Sequence, residues 1–439
     1  MGTPLRLFHP ARWFTGLWLN SDFRKLWGSL TITHFGGQIT FLALPLTAAV
    51  MLDASPFEVG VLTALEALPF TLLGLFAGVL VDRMRKLPLI IVCDVGRALA
   101  LLAIPIAAWT GWLAMWLLYT VGFLIGAFSV IGWPAYQVFM TERVGRERLV
   151  EANAKIGVSD SAAQLIGPGL AGALIQWLTA PIAILLDAFS FAFSAWMLRG
   201  IPPAPTDAPK AAPRSVKAEI REGLAVIWHN RTLRSLVWTI GIWQVFRHGF
   251  IAIVVLYATR ELGFSAGHVG ALFMVAGLGS LAAAGVVVPL NSRFGMGPTM
   301  LGGIGMTGVA WLVMGSANGP AWLASAFFGG GLFLLDLGAM IFFINYLSLR
   351  QAATPDRLLG RVTATMICLT VSTAPLGGLL FGWIAEHHGL RTAMVIAGAG
   401  ALAMMPLVVW FSPLARMIEL PTPEEPKAAE SVTEEMAGG

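Results

Sequence analysis

Along the chain, apolar residues come in blocks of about 18–27 separated by short polar breaks, long enough for a helix to cross the hydrocarbon core of a bilayer. Twelve such blocks can be drawn, at 26–51, 56–80, 87–108, 112–136, 153–178, 181–198, 234–259, 266–289, 298–316, 320–346, 359–384 and 390–411. Several breaks span only a few residues, among them Thr110-Gly111, Leu178-Thr179-Ala180-Pro181 and Ala317-Asn318-Gly319-Pro320. Turns that short join antiparallel neighbours, so the pattern predicts an all-α membrane protein of twelve transmembrane helices. The longest internal break, roughly Arg199 to Leu233, divides the blocks six and six. The expected organisation is an N-terminal segment 1–25, a first half 26–198, a linker 199–233, a second half 234–411 and a tail 412–439. The linker opens with Pro202, Pro203, Pro205, Pro209 and Pro213, then turns basic and amphipathic from Val216 to Trp228, as a helix lying along a membrane surface would. The acidic, Ala/Pro-rich tail is expected to be disordered.

Composition agrees with the pattern and closes off other classes. Of 439 residues 57% are hydrophobic and 12% charged, against about 25% charged in a soluble protein. The net charge of +4 would fit a nucleic-acid binder if it sat in one patch, but the basic residues are spread through short loops. With a cytoplasmic N-terminus and twelve crossings, Arg97 and Arg247 lie within spans and only Arg260 and Arg391 fall outside. The remaining 24 of 28 Lys and Arg then border the cytoplasm. Both termini are therefore expected in the cytoplasm, with no signal peptide and no myristoylation signal at Gly2. Cys93 and Cys368 fall in apolar blocks without metal-ligand spacing, so neither a disulfide nor a metal site is expected. No GxxxxGK(S/T) loop for nucleotide binding and no HExxH or GxSxG motif occurs, so neither ATP-driven pumping nor enzymatic turnover is expected. No cofactor is called for.

An internal repeat supports the division into halves. Ala77-Gly78-Val79-Leu80-Val81 recurs as Ala284-Gly285-Val286-Val287-Val288, 207 positions later. Pro168 and Pro375, and Arg143 and Arg350 in corresponding loops, share that spacing. Two like six-helix halves with a site between them form a secondary-transporter plan. The run Gly78-Val79-Leu80-Val81-Asp82-Arg83-Met84-Arg85-Lys86 is similar to the G-x-x-x-D-R-x-G-R-R signature of the major facilitator superfamily, with Arg85 in place of its second glycine. Gly167-Pro168-Gly169-Leu170-Ala171-Gly172 resembles the G-P-x-x-G motif of that superfamily's antiporters, though Ala163 stands for the usual upstream glycine. The arginine of the helix 4 signature is missing, and Tyr119, Gly122 and Gly126 occupy that stretch. Asn20 to Trp27, Leu186 to Phe191 and Thr354 to Val362 resemble the bacterial branch that exports drugs, macrolides and siderophores such as enterobactin. The resemblance implies the major facilitator fold and alternating access. It also implies a gate at Gly78, Asp82, Arg83 and Arg85, and a leak-preventing helix contact at Gly167, Pro168 and Gly172. Read physically, Asp82 can face the positive end of a helix in the other half while Arg83 pairs with an acid, and the glycines admit close helix approach.

A charge at mid-bilayer costs roughly 2.5–3.5 kcal/mol on insertion scales, so each one needs a reason. Asp94 and Arg97, three apart on one helix face, read as a structural pair. Asp187 reads as a cap or an interhelical hydrogen-bond partner. Glu66, Asp336 and Asp160 are the candidates for proton coupling, because a carboxyl group deprived of water can hold a proton and release it when water or a cation arrives. Arg247 is open to three readings: contact with an anionic substrate group, charge partner for Asp336 or Glu66, or structural pair. It shares a face with Gln244 and His248, and His34 and Gln38 are likewise four apart. Arg247, Gln244, Gln38, His34 and Trp243 form the candidate substrate-binding set, while Trp133 is a second aromatic that could reach the cavity.

The expected function is export of a small amphiphilic molecule in exchange for protons, by a monomer whose partners are its substrate, protons and membrane lipids. An importer or uniporter is the nearest rival, and a transport-inactive sensor or scaffold the rival of another class.

Overall fold

The computed structural model describes residues 16–202, 216–355 and 358–418, except the side chains of Leu75, Val79, Asp82, Arg146 and 216–220. The expectations for the first fifteen residues, for linker residues 203–215 and for the tail after Ile418 lie outside the described residues. So does the side chain of Asp82.

The described chain forms fourteen α-helices: α1 (Ser21–Leu46), α2 (Pro56–Arg83), α3 (Lys86–Thr110), α4 (Met115–Val144), α5 (Leu149–Leu178), α6 (Ala180–Arg199), α7 (Val216–His229), α8 (Arg231–Leu256), α9 (Ala266–Phe294), α10 (Met296–Gly315), α11 (Ala321–Ala352), α12 (Leu359–Val371), α13 (Ala374–His388) and α14 (Leu390–Phe411). Helices α12 and α13 together make one crossing, broken at Ser372-Thr373 just ahead of Pro375. Hydroxyls at the break bond backbone carbonyls: Ser372 Oγ donates to Cys368 O, and Thr373 Oγ1 to Thr370 O at 2.8 Å and to Gly241 O of α8 at 2.7 Å. On that count eleven crossings are long and apolar enough to span a bilayer. The twelfth, α5, has 30 residues and packs between α1 and α9, but Glu151, Lys155 and Asp160 make its first half too polar to qualify by hydropathy. The protein is a multi-pass, all-helical membrane protein. Helix α7 is the linker helix, fixed to α12 by the ion pair of Glu222 and Arg361 and by the fit of Gly223 against Thr365.

The halves repeat, but at a different spacing from the one read in the sequence. Ser21 and Arg231, Pro56 and Ala266, Lys86 and Met296, and Ala180 and Leu390 all begin helices, and each pair is 210 apart. The capping chemistry repeats with them. Asn20 and Asn230 each accept from two backbone amides of the following turn, and Ser55 and Ser265 each cap the next helix; such caps contribute about 1 kcal/mol apiece. Helices α1 and α8 both run on into a π-helical turn, at Thr47–Met51 and Tyr257–Glu261. The 207 spacing therefore fails for Ala77/Ala284 and Pro168/Pro375, where an apolar match slipped by three residues, nearly one helical turn. It fits only α4 and α11, which begin 206 apart, and there Arg143 and Arg350 occupy last helical turns, not loops.

Naming the ends of the bundle by chemistry, the basic end carries α7, the start of α1 and the close of α14, and the far end is opposite. The halves meet backbone to backbone at the far end, through glycine. A Cβ on Gly378 would lie 2.7 Å from Gly60 O, and one on Gly382 only 3.0 Å from Gly60 Cα. The related crossing joins α5 to α9, where a Cβ on Gly270 would sit 2.8 Å from Gly172 Cα. Polar contacts repeat too: Gly267 N donates to Gln176 Oε1 at 2.8 Å, and Phe57 N, 210 positions before Gly267, donates to Glu386 Oε2 at 3.1 Å. A further bond has no counterpart. Arg260 Nη2 reaches from the second half to Asp53 Oδ1 at 3.0 Å and Ala49 O at 2.9 Å. Toward the basic end the close glycine contacts do not recur on these helices: a Cβ on Gly78, Gly157 or Gly285 would meet nothing within 4 Å. The conformation is closed at the far end and open toward the basic end.

Gly382→Leu should hold the far end apart, because the new side chain enters the α2 backbone. With Thr63→Cys as reporter (Thr63 is 8% exposed) and the native cysteines replaced by serine, labelling by a membrane-impermeant maleimide should rise several-fold. Unchanged labelling in a folded variant would show that these glycines do not set the closure.

Candidate functional site

Three groups of ionisable side chains lie inside the bundle, and each is placed by a helix crossing. In the first half, α1 passes α5 so that His34 Nδ1 stands 3.3 Å from Asp160 Oδ1, too poorly aligned for a hydrogen bond. Gln164 Nε2, one turn further along α5, donates to Asp160 Oδ2 at 2.8 Å. Trp133 of α4, half-exposed, lies beside the His34 ring at 6.4 Å between centroids. Gln38 lies across Gly167, where a Cβ would come 2.8 Å from the Gln38 Cβ. Two expected substrate contacts and one expected coupling acid thus form one cluster. The neighbouring glycines of that α5 run face the other half, Gly169 at Met274 and Gly172 at Gly270.

Glu66 stands at the junction of the halves. Its stem packs on α4, where a Cβ on Gly122 would be 3.1 Å from Glu66 Cγ, and Glu66 O lies against Gly126. Here the missing arginine of helix 4 is replaced by glycines that admit α2. The Glu66 carboxyl borders a cavity of about 50 Å³ shared by α1, α2 and α8, lined also by Thr40, Thr63 and Val255. That is room for water. No hydrogen bond or ion pair to the Glu66 carboxyl occurs among the described residues.

In the second half, Arg247 is nine residues, or two and a half turns, beyond the outward-facing Trp238, so it points the opposite way, into the bundle. Its guanidinium lies over the Trp243 ring at 5.7 Å and within electrostatic reach of Asp336 on α11, yet forms no ion pair within 4.0 Å among the described residues. Asp336 is met instead by Ser280 Oγ of α9 at 3.5 Å. His248 turns its Nδ1 to the carbonyl of Gln244 at 3.1 Å, tying these two together along α8. Gln244 and His248 stand 210 positions after His34 and Gln38, so the first helix of each half presents the same pair of residue types in swapped order. Trp243 departs from expectation. It is 5% exposed, donates its indole N–H to Thr307 Oγ1 at 3.1 Å and packs against Phe342, so its edge is spent on α10 and α11 and only its face supports Arg247.

The remaining charges brace the first half. Arg97 and Asp94 approach to 3.8 Å, Ser194 of α6 donates to Asp94 at 2.7 Å, and Arg97 lies over Phe191. Asp187, 1% exposed, accepts from Thr40 and Ser190 and links α6 to α1. At the basic end Arg83 and Arg85 are exposed and make no hydrogen bond or ion pair among the described residues. Among the described residues, the acid expected to pair with Arg83 is not within reach in this conformation. Arg143 does find partners, Asp22 at 3.4 Å and the carbonyl of Pro202, whereas the related Arg350 is buried on Tyr346. Sequence reasoning missed Ser280, Ser194 and Thr40, since a hydroxyl in an apolar helix carries no signal of its partner. It also took Arg260 only as a stray outer charge.

Two similar six-helix halves, closed together at one end around an interior with scattered charges, define a secondary transporter. The chain belongs to the major facilitator superfamily, whose profile matches residues 26–374; it is a transporter and not an enzyme. The uncharacterized MFS-type transporter y4rN of Sinorhizobium fredii is 25% identical over 379 residues, covering 84% of this chain and 89% of the relative. The multidrug efflux pump Tap of Mycolicibacterium fortuitum is 24% identical over 402 residues, covering 88% and 94%. Among solved structures, a mutant of the nucleoside transporter NupG superposes with a TM-score of 0.73 at 11% identity, covering 89% of this chain and 100% of that one. A bacterial homologue of the iron transporter ferroportin gives 0.69 at 16%, covering 90% and 99%. At such identities the structures report the shared fold.

Arg97→Met should destabilise the protein in detergent by about 3–5 kcal/mol, the cost of stranding one member of a buried pair. Adding Asp94→Asn should restore most of that loss. Equal destabilisation in the single and double variants, by chemical unfolding, would show that the pair is not what matters.

Proposed function

We propose that this transporter exports a small amphiphilic molecule from the cytoplasm in exchange for protons. It would act as a monomer in a bacterial inner membrane, with the basic end and both termini in the cytoplasm. The observation that carries the reading is the condition of Glu66 and Asp336: both lie inside the bundle and neither has a cation at ion-pair distance among the described residues. Each is a group that can cross the transport cycle either neutral or charged, and exchange of a proton for substrate needs such a group. Asp336 is the better placed for substrate, since Arg247 and Ser280 share its surroundings. Glu66 is the better placed to sense closure, since its cavity is walled by both halves. Asp160, already engaged by Gln164 and set against His34, is the third candidate.

The same reading orders the rest. With the basic end in the cytoplasm, the conformation described is inward-open, the state that would receive cargo for export. Arg247, Gln244, His34, Gln38 and Trp133 would contact it, the tryptophan through a flat apolar face and the others through directional polar contacts. Gly78, Asp82, Arg83 and Arg85 would close the cytoplasmic side once cargo is bound. The likeness to a multidrug efflux pump supports the outward direction and a lipophilic class of cargo; a drug, macrolide or siderophore would suit the site.

In proteoliposomes loaded with a pH-sensitive dye, adding lipophilic cations, macrolides or siderophores should drive proton movement through the wild type with at least one class. That movement should disappear in Asp336→Asn or Glu66→Gln, with the variant still folded and reconstituted. Substrate flux without proton movement, equal in wild type and both variants, would make the protein a uniporter and these carboxyl groups structural.

A further inference from the structure

A cleft of about 470 Å³ opens on the outer wall of the second half, near the basic end, between α8, α14 and the turn Pro413–Arg416. Arg231, Arg234 and Arg416 border it, with Trp238, Trp410 and Phe411, and no acidic side chain lines it. Arg231 and Arg416 are exposed and make no hydrogen bond or ion pair among the described residues. Arg234 donates only to the carbonyl of Trp228, at 2.9 Å, and lies near that residue's ring. Two other arginines at this end are matched by acids, Arg143 by Asp22 and Arg361 by Glu222, while Arg83 and Arg85 do not border this cleft. Three cations gathered around one opening, without a counter-charge among the described residues, fit an anion from outside the protein.

The related place in the first half is closed. There Lys25 donates to the carbonyl of Gly200, and Gly28 lets Met197 of α6 come so near that a Cβ on the glycine would lie 2.8 Å from Met197 Cε. Trp238 occupies the position 210 after Gly28, is 61% exposed, and stands where that close packing would form. A bulky residue thus replaces a packing glycine, and α8 and α14 part around it. On the other side of Trp238 a second groove, of about 300 Å³, runs between α7, α8 and α12 along Leu224, Ile227 and Leu369. It shares Arg234, Trp238 and Ile242 with the first. Two largely apolar grooves meeting beneath one cationic rim, on a wall that faces lipid, match a phosphate headgroup carrying two acyl chains.

We propose that this cleft binds an anionic phospholipid of the leaflet at the basic end, with its phosphate held by Arg231, Arg234 and Arg416 and its chains lying on either side of Trp238. The site is separate from the transport interior, since Trp238 and Arg247 point to opposite sides of α8. Occupancy would bridge α7, α8 and α14 and so join the linker helix to the second half.

Native mass spectrometry of the full chain in micelles containing phosphatidylglycerol or phosphatidylcholine tests the proposal. Wild type should retain phosphatidylglycerol preferentially. The triple variant Arg231→Gln, Arg234→Gln, Arg416→Gln should lose that preference several-fold while keeping its weak retention of phosphatidylcholine. The corresponding triple lysine variant should keep the preference. Trp238→Gly, which allows the closure seen in the first half, should also lose it, and serves if the triple glutamine variant does not fold. Equal retention of both lipids by wild type, or an unchanged preference in these variants, would overturn the proposal. So would saturable binding of inorganic phosphate without phosphatidylglycerol binding, which would assign the arginines to a free anion. Preference that emerges only after Glu424→Gln and Glu425→Gln would assign the cleft to the chain's own acidic tail and overturn it equally.

Discussion

The structure depends on how closely two helices can approach when glycine lies at their crossing. At Gly60 with Gly378 and Gly382, and again at Gly172 with Gly270, backbones touch without side chains between them. The helices that cross there are long: α2 has 28 residues and α9 has 29, or about 42–44 Å of rod at 1.5 Å per residue. A rod pinned near one end must diverge from its partner at the other unless it bends. Closure at the far end and separation at the basic end are therefore one fact, and the interior between them is reached from the basic end. Small residues serve in place of a hydrophobic driving force here, because lipid is as apolar as any leucine between helices.

The bilayer made most of this fold legible in advance. A crossing must be a long apolar helix whose backbone satisfies itself, so the apolar blocks could hardly have been anything else. Even α5 stood out, because its glycine-rich second half is apolar although its first half carries Glu151, Lys155 and Asp160. The register of the repeat was harder. Apolar helices draw on few residue types, so Ala77-Gly78-Val79 finds a match three residues from its structural equivalent. Caps and turns, which are chemically distinctive, carry the 210 spacing faithfully at Asn20/Asn230 and Ser55/Ser265.

The site was legible as a set of residues but not as a set of partnerships. Any charge in an apolar block attracts notice, so Glu66, Asp94, Arg97, Asp160, Arg247 and Asp336 were all visible. Which of them meet depends on helix adjacency, which no local pattern encodes. His34 and Asp160 approach because α1 lies against α5, and Arg247 faces Asp336 without closing on it because α8 and α11 barely meet. Trp243 shows the same limit from the other side. An aromatic beside candidate polar residues looks like a cavity wall, yet the Trp243 edge is bonded to Thr307 and packed on Phe342, which leaves only its face to Arg247.

Two equivalent halves that run in the same direction leave the two ends of the bundle unlike, so contacts that occur in pairs can themselves mark the end that closes. The glycine crossings come in a related pair, and so do the bonds from Gln176 to Gly267 and from Glu386 to Phe57. Paired contacts supply the hinge but treat the two halves alike. What is not repeated can bias them: Val50 stands at the position related to Arg260, and Gly263 at the one related to Asp53, so the Arg260–Asp53 ion pair has no twin. The interior is likewise unpaired, with a histidine set against an acid in one half and an arginine held off from an acid in the other. On the proposed reading, the paired glycine crossings close the far end and serve as the hinge of the rocking motion, and the few unpaired charged side chains set what must be bound before the state changes.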